Sequence, residues 1–222
     1  MRLDADYLYS NFENRESGNR ETGALPGVRG DLALELGSSL VVAAGGEYWD
    51  GHVNFAGTSL TGSNLQILNS TYLRDIYARV EVPMGSLQLT AGIGQRERLD
   101  NFVGNYRRRE TFNYFPVTAT YTQQFFYIRA EVDVWKSGNV QAYMSDVSAA
   151  EHNVTLDFGS GLGYGAEIGA LLATSGHFYN RIFIGYHHWD VGQTNAASDG
   201  VRSVQIPSAG TTVIQAGIGV SF

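Results

Sequence analysis

Cysteine is absent from this 222-residue chain, and lysine occurs once, at position 136. The first absence excludes a disulfide framework, thiolate metal sites and a cysteine nucleophile. There is no run of about 18 apolar residues, so no membrane-spanning helix is encoded. After Met1 the chain reads RLDADY, charged from its start, with none of the apolar stretch of a signal peptide. The expectation is a cytoplasmic protein or a mature exported chain carrying an added methionine. Basic residues are few against a formal net charge of -7; nucleic acid wants clustered Lys and Arg, so no nucleic-acid partner is expected. No His, Asp and Glu cluster stands at metal-ligand spacing, and neither a metal nor a cofactor is expected.

Glycine and aromatic side chains are plentiful, with 27 Gly, 13 Tyr and 11 Phe against 4 Pro. Nearly every apolar stretch alternates with period two, and none keeps helical spacing over three turns. The chain reads as all-β and as a single domain over 1–222. Ten strands are expected, at 3–13, 28–36, 40–55, 70–82, 86–98, 111–121, 125–136, 159–172, 177–190 and 211–222. Eight or twelve stay open, because 136–158 has room for a further hairpin around Gly138-Asn139. Connections alternate in length. Gly37 to Ser39, Pro83 to Gly85, Thr122 to Gln124 and Ala173 to Gly176 are tight. Asn14 to Gly27, Ala56 to Asn69, Leu99 to Glu110, Lys136 to Phe158 and Val191 to Gly210 are long and polar.

Each strand has one apolar face. Phe126, Ile128, Ala130, Val132 and Val134 oppose Tyr127, Arg129, Glu131, Asp133 and Trp135; Val28, Leu32, Leu34 and Leu36 oppose Arg29, Asp31 and Glu35. Alternation alone fits a soluble sheet or a membrane barrel, but the charges discriminate. They are Arg, Asp and Glu almost throughout, and Arg suits enclosed, bidentate ion pairs better than Lys does. The expected lumen wall is Asp31, Glu35, Glu47, Asp75, Arg79, Glu81, Arg96, Arg129, Glu131, Asp133, Glu167 and Arg181. Tyr7, Tyr9, Tyr48, Tyr72, Phe115, Tyr121, Phe126, Tyr164, Phe178, Tyr186 and Phe222 fall near strand ends, where a membrane barrel carries aromatic girdles.

The last strand, TTVIQAGIGVSF, adds a specific likeness. Gln215, Gly217, Val220 and Phe222 match the polar-x-Gly-x-x-apolar-x-aromatic ending of Gram-negative outer-membrane β-barrels. With the loop asymmetry, the whole chain resembles that class. The resemblance implies a closed antiparallel up-and-down transmembrane β-barrel in the bacterial outer membrane, with short periplasmic turns and long extracellular loops. It also implies a monomer or small oligomer, contact with outer-membrane lipid and lipopolysaccharide, and recognition of the C-terminal signal by the barrel-assembly machinery.

Three local motifs are candidate sites. GYHHWD, Gly185 to Asp190, holds His188 and Asp190 on one strand face, the face of Ile182 and Ile184, while the adjacent His187 faces the other way. It lacks the His-x-Ser arrangement of lipid A deacylases and the acid pair of omptin proteases. No catalytic set is therefore assigned, with His188 and Asp190 the nearest candidates. GSGLGYGAEIGA, Gly159 to Ala170, brushes a dinucleotide fingerprint but has no βαβ frame; its glycine stripe is expected to thin the barrel wall or make room for large lumen side chains opposite. YRRRE, Tyr106 to Glu110, puts Arg107, Arg108 and Arg109 in an expected outer loop, either as a solvated run or as a contact for lipopolysaccharide phosphates. The charged wall makes a narrow pore or substrate-selective channel the first functional expectation. A plugged structural or surface-interaction barrel is the second, and an outer-membrane enzyme, a protease or lipid A modifying, the third.

Overall fold

The structure, a computed structural model, describes residues 1–37, 39–58, 64–102, 106–175 and 178–222. Among them are β1 (Arg2–Glu16), β2 (Asn19–Glu35), β3 (Val41–Thr58), β4 (Asn64–Met84), β5 (Leu87–Asn101), β6 (Arg107–Gln123), β7 (Phe126–Ala142), β8 (Val154–Asp157), β9 (Gly161–Ser175), β10 (Phe178–Val191), β11 (Ala197–Ser198), β12 (Ser203–Val204) and β13 (Ala209–Ser221). Ten of these form one antiparallel ring, in which β7 pairs with β9, β10 with β13, and β13 closes on β1. The short β8 lies against the far end of β7, and β11 and β12 make a small separate hairpin.

The ring is staggered. From Glu35 the paired partners run Val41, Glu81, Thr90, Thr118, Glu131, Gly165, His187, Val213 and Phe12, and return to β2 at Gly23, twelve residues from the start. Such a shear tilts the strands by about 35–45° to the axis. They run from 13 residues in β13 to 21 in β4, whereas about 9–11 tilted residues cross a bilayer. The excess is at the end opposite the termini.

That excess corrects the expected loops. Most of 14–27, 56–69 and 99–110 is strand, and β1 meets β2 in a two-residue turn at Ser17-Gly18, both with positive φ. Gly138 and Asn139 lie inside β7, not in a turn, and the strand bulges at Lys136, which is left between the Asn113↔Ser137 and Tyr114↔Trp135 pairs. Parts of the expected connections, at 38, 59–63, 103–105 and 176–177, lie outside the described residues, as does the side chain of Phe178.

The wall has two storeys. From the termini to about mid-strand, aliphatic side chains point outward and are exposed, among them Leu32, Val80, Leu89, Ile93, Val117, Ile128, Val132, Ile182 and Ile218, while Asp4, Asp6, Arg29, Asp31 and Glu81 point inward and are buried. Tyr9, Tyr48, Phe115, Tyr164 and Tyr186 crown this apolar band, and Tyr121 and Phe222 stand at its lower edge. Above the crown the polarity inverts on an unbroken alternation. In β3 the outward residues become Asp50, His52 and Asn54, and Trp49 and Val53 face in. In the upper interior Phe12, Leu25, Phe112, Trp135, Val140, Leu156 and Phe158 form an apolar core.

Candidate functional sites in the bore and on the outer rim

The bore is filled by ion pairs built round arginines. Arg29 donates to Asp6 at 2.6 Å and Glu167 at 2.9 Å, and lies 3.6 Å from Glu47. Its guanidinium sits 4.4 Å over the Phe183 ring. Arg181 also donates to Asp6; Arg79 bridges Asp31 at 2.9 Å and Glu81 at 2.8 Å; Arg129 holds Glu131, which also accepts from Thr118. Higher up, Arg96 donates to Asp75 from Nε and Nη2 at 2.8 and 2.6 Å, lies 3.6 Å from Asp133 and stacks on Trp189 at 4.4 Å. The Tyr114 and Tyr127 hydroxyls donate to Asp75 and Glu167, each at 2.6 Å.

The structure places eleven of the twelve expected wall residues along this bore. Glu35 alone stands exposed at the terminal mouth. The set omitted Asp4, Asp6 and Arg29, and a second buried network in the upper storey beside the apolar core. There Arg98 pairs with Glu21 and with Asp100 at 2.9 Å, and Arg108 with Glu16 at 2.7 Å and Glu110 at 3.3 Å. Asp4, Asp6 and Arg29 have the inward parity of strands already expected, and the upper network carries the same period-two alternation on through stretches read as loops. Arg108 is a correction to the expected lipid contact: it is buried inside the barrel, beyond reach of a headgroup. Arg107 is exposed, forked on Asp146 at 2.8 and 3.1 Å, and Arg109 shares its strand face.

The glycine stripe faces inward. A Cβ at Gly169 would lie 2.5 Å from the Tyr127 ring, and one at Gly165 2.6 Å from His187 Nδ1, so large side chains lie flat across the neighbouring strand. The segment after β7 closes the top, where Phe158 stacks on Phe112 at 4.8 Å between ring centres, with Met144 and Leu156 beside it. The mid-barrel cavity between Glu47, Asp75, Arg96, Glu131, His187 and Gln215 holds about 40 Å³, room for a few waters. Below it a polar vestibule of about 320 Å³ opens at the terminal end.

Outside, at the crown, His188 faces away from the bore and His187 into it. His188 Nδ1 is 2.9 Å from Thr212 Oγ1 and Nε2 is 3.2 Å from Asp190 Oδ1. The Tyr164 ring lies 5.2 Å from the imidazole. At the C-terminus Gln215 is buried in the bore, Gly217 lies under Phe183, and Phe222 is exposed on the outer face. Among the described residues no three His, Asp or Glu side chains converge as a metal site.

A closed sheet leaves no unpaired edge for lipid to meet, and an apolar outer belt around an ion-paired bore is the reverse of a soluble barrel. These features define a transmembrane β-barrel of the Gram-negative outer-membrane class. Solved structures agree in fold. The outer-membrane protease OmpT from Escherichia coli is 11% identical with a TM-score of 0.64, over 100% of this chain and 96% of that one. The translocator domain of the autotransporter NalP from Neisseria meningitidis is 10% identical with a TM-score of 0.50, over 98% and 87%. No family model and no curated protein matches the sequence.

Proposed function

We propose that this protein is a closed-lumen barrel of the outer membrane that works through its outer rim and loops, not by passing solute. The observation that carries this reading is the mid-barrel space of about 40 Å³, bounded by paired charges and rings. Opening a path there means separating buried ion pairs, each costing about 3–5 kcal/mol to break from one side. The rim is built for contact. Segments 143–160 and 192–208 dock on one another through Arg202 and Glu151 at 2.9 Å and bury Phe158 and Ile206, leaving Val147 and Val201 exposed. Outer-leaflet lipid surrounds the crown, with Arg107 and Arg109 the remaining arginines for lipopolysaccharide phosphates. The C-terminal Gln215, Gly217, Val220 and Phe222 serve the assembly machinery, and the barrel acts as a monomer.

The test is conductance in planar bilayers. The purified barrel should carry no stepwise current at any voltage. Stable unitary currents that change with Arg129→Ala would overturn the reading in favour of a narrow channel.

A further inference from the structure

The His188 group has a feature that a rim hydrogen bond does not need: its two ring nitrogens are engaged by groups of opposite kind. Asp190 is on the same strand face two residues on, and Thr212 is the residue directly opposite on β13. Asp190 Oδ1 stands 3.2 Å from Nε2, and an ionised carboxylate, which only accepts, favours the tautomer with the proton on that nitrogen. Nδ1 is then the lone-pair nitrogen, and it accepts from the Thr212 hydroxyl. Nucleophile, base and orienting carboxylate are thus linked in series, which is the arrangement that activates a hydroxyl for acyl transfer.

Its location selects the substrate. On β10 the outward residues below His188 are Tyr186, Ile184 and Ile182, and on β13 below Thr212 they are Ile214, Ala216 and Ile218. The relay stands where the apolar belt gives way to polar wall, the depth at which lipid ester carbonyls lie. Below Tyr186 and Ile214, on the same strands and on β1 and β9, an open exterior groove of about 560 Å³ runs down the belt. Its sides are Tyr7, Tyr9, Ile184 and Ile218, and small residues, Ala170 and Ala216, form its floor. His188 is 20% exposed and Asp190 68%, so the imidazole is sheltered while its carboxylate partner reaches water.

We propose that Thr212, His188 and Asp190 form an esterase site for an acylated lipid of the outer leaflet, whose acyl chain lies in the groove. Thr212 Oγ1 attacks the ester carbonyl carbon as its proton passes to His188 Nδ1. The ester C–O bond breaks, and the departing alkoxide takes that proton and leaves as an alcohol. Water then attacks the acyl-threonine ester, giving a proton to Nδ1 that returns to Oγ1 as the fatty acid departs. The sum is ester plus water to acid plus alcohol. Asp190 holds the tautomer and stabilises the imidazolium. The site lies wholly on the outer surface and does not depend on whether the bore is closed.

The experiment places the full chain in two kinds of vesicle, phosphatidylethanolamine with phosphatidylglycerol, and the same mixture with lipopolysaccharide, and measures released fatty acid by mass spectrometry. Release in both arms identifies a phospholipid substrate, and release only where lipopolysaccharide is present identifies lipopolysaccharide. Thr212→Val and His188→Ala should each lower it by about 100-fold or more, and Thr212→Ser should retain it. Folding of every variant is read from its heat-modifiable migration on gels. A fluorophosphonate probe should label Thr212, or Ser in its place, only while His188 is present. No release above protein-free vesicles in either arm, or equal release from folded Thr212→Val, overturns the proposal.

Discussion

The lower and upper halves of this barrel share strands and alternation but obey opposite burial rules. In β3 below the crown, Val42 and Ala44 face out and Glu47 faces in; above it, Asp50, His52 and Asn54 face out and Trp49 and Val53 face in. β10 repeats the inversion, from Ile182 and Ile184 outside with Arg181 inside to Asp190 outside with Trp189 and Val191 inside. Backbone geometry fixes only which residues share a face. The medium outside decides which face is apolar, and it changes from hydrocarbon to water part-way up. The lower half is therefore stabilised by paired charges in its interior, the upper half by a packed apolar core with a second charge network beside it.

The largest expected effect lies where the two storeys meet. Arg96 joins the Asp75 pair to the rings of Trp189, Tyr114 and Trp135. Arg96→Ala leaves Asp75 buried with its charge uncompensated, which costs about 3–5 kcal/mol. Urea unfolding in micelles will read this, because Trp49, Trp135 and Trp189 all face inward. Arg107→Ala, which breaks the exposed pair with Asp146, should cost about 0–1 kcal/mol in the same assay. Equal effects would mean that the interior is hydrated enough to screen its charges.

A paired substitution on the outer wall tests the boundary itself. Ile168→Arg places a charge in the apolar belt, between Ile128 and Ile184, and should cost about 2–4 kcal/mol near the membrane midplane. Asn54→Arg, outward on the upper storey, should stay within about 0.5 kcal/mol. If both cost the same in vesicles, the belt ends elsewhere and the two-storey division fails.

The inversion also explains what the sequence made legible. Ten strands and the faces of Val132 and Asp133 could be read because apolar and charged residues alternate there in a fixed sense. Through 14–16, 19–21, 99–101 and 107–109 the alternation continues, but charged residues occupy both faces, as with Arg15 outward and Glu16 inward. A reading that requires one apolar stripe ends the strand too soon. Arg108 was misplaced for that reason: a loop residue has no parity, whereas a strand residue opposite Ala142 does. His188 and Asp190 were legible as a shared face. Thr212 was not, because its approach depends on the register between β10 and β13, which no local pattern encodes.

Glycines inside the lower storey give a smaller, sharper test of the filled bore. Gly169→Leu pushes a side chain into the space of the Tyr127 ring and should cost about 1–3 kcal/mol through overpacking. Tyr127→Ala alone removes the ring and its bond to Glu167. The two together should cost less than their sum, because the leucine then occupies vacated space and the pair is strongly coupled. Strict additivity in unfolding measurements would show that the bore is loose enough to absorb both changes separately.

The smallest effect is confined to the upper rim and depends on pH. The Asp199 carboxylate accepts from the backbone N–H groups of Arg202 at 2.7 Å and Val201 at 2.8 Å and pairs with the Arg202 guanidinium at 3.2 Å. The Arg202 N–H bond is the main cause that holds its pKa below the ordinary value of 3.8. A carboxyl with a lowered folded pKa stabilises its surroundings fully above the unfolded value, and that contribution disappears as pH falls through the lowered one. Backbone amide exchange in 192–208 should therefore stay slow from neutral pH down to about 5, then lose protection below about 4 relative to intrinsic rates, while lower-storey strand amides stay protected. Asp199→Asn should abolish this pH step and leave the barrel's unfolding midpoint unchanged. If the variant keeps the step, another group controls the rim; if the lower strands lose protection over the same range, the two halves do not respond to acid independently.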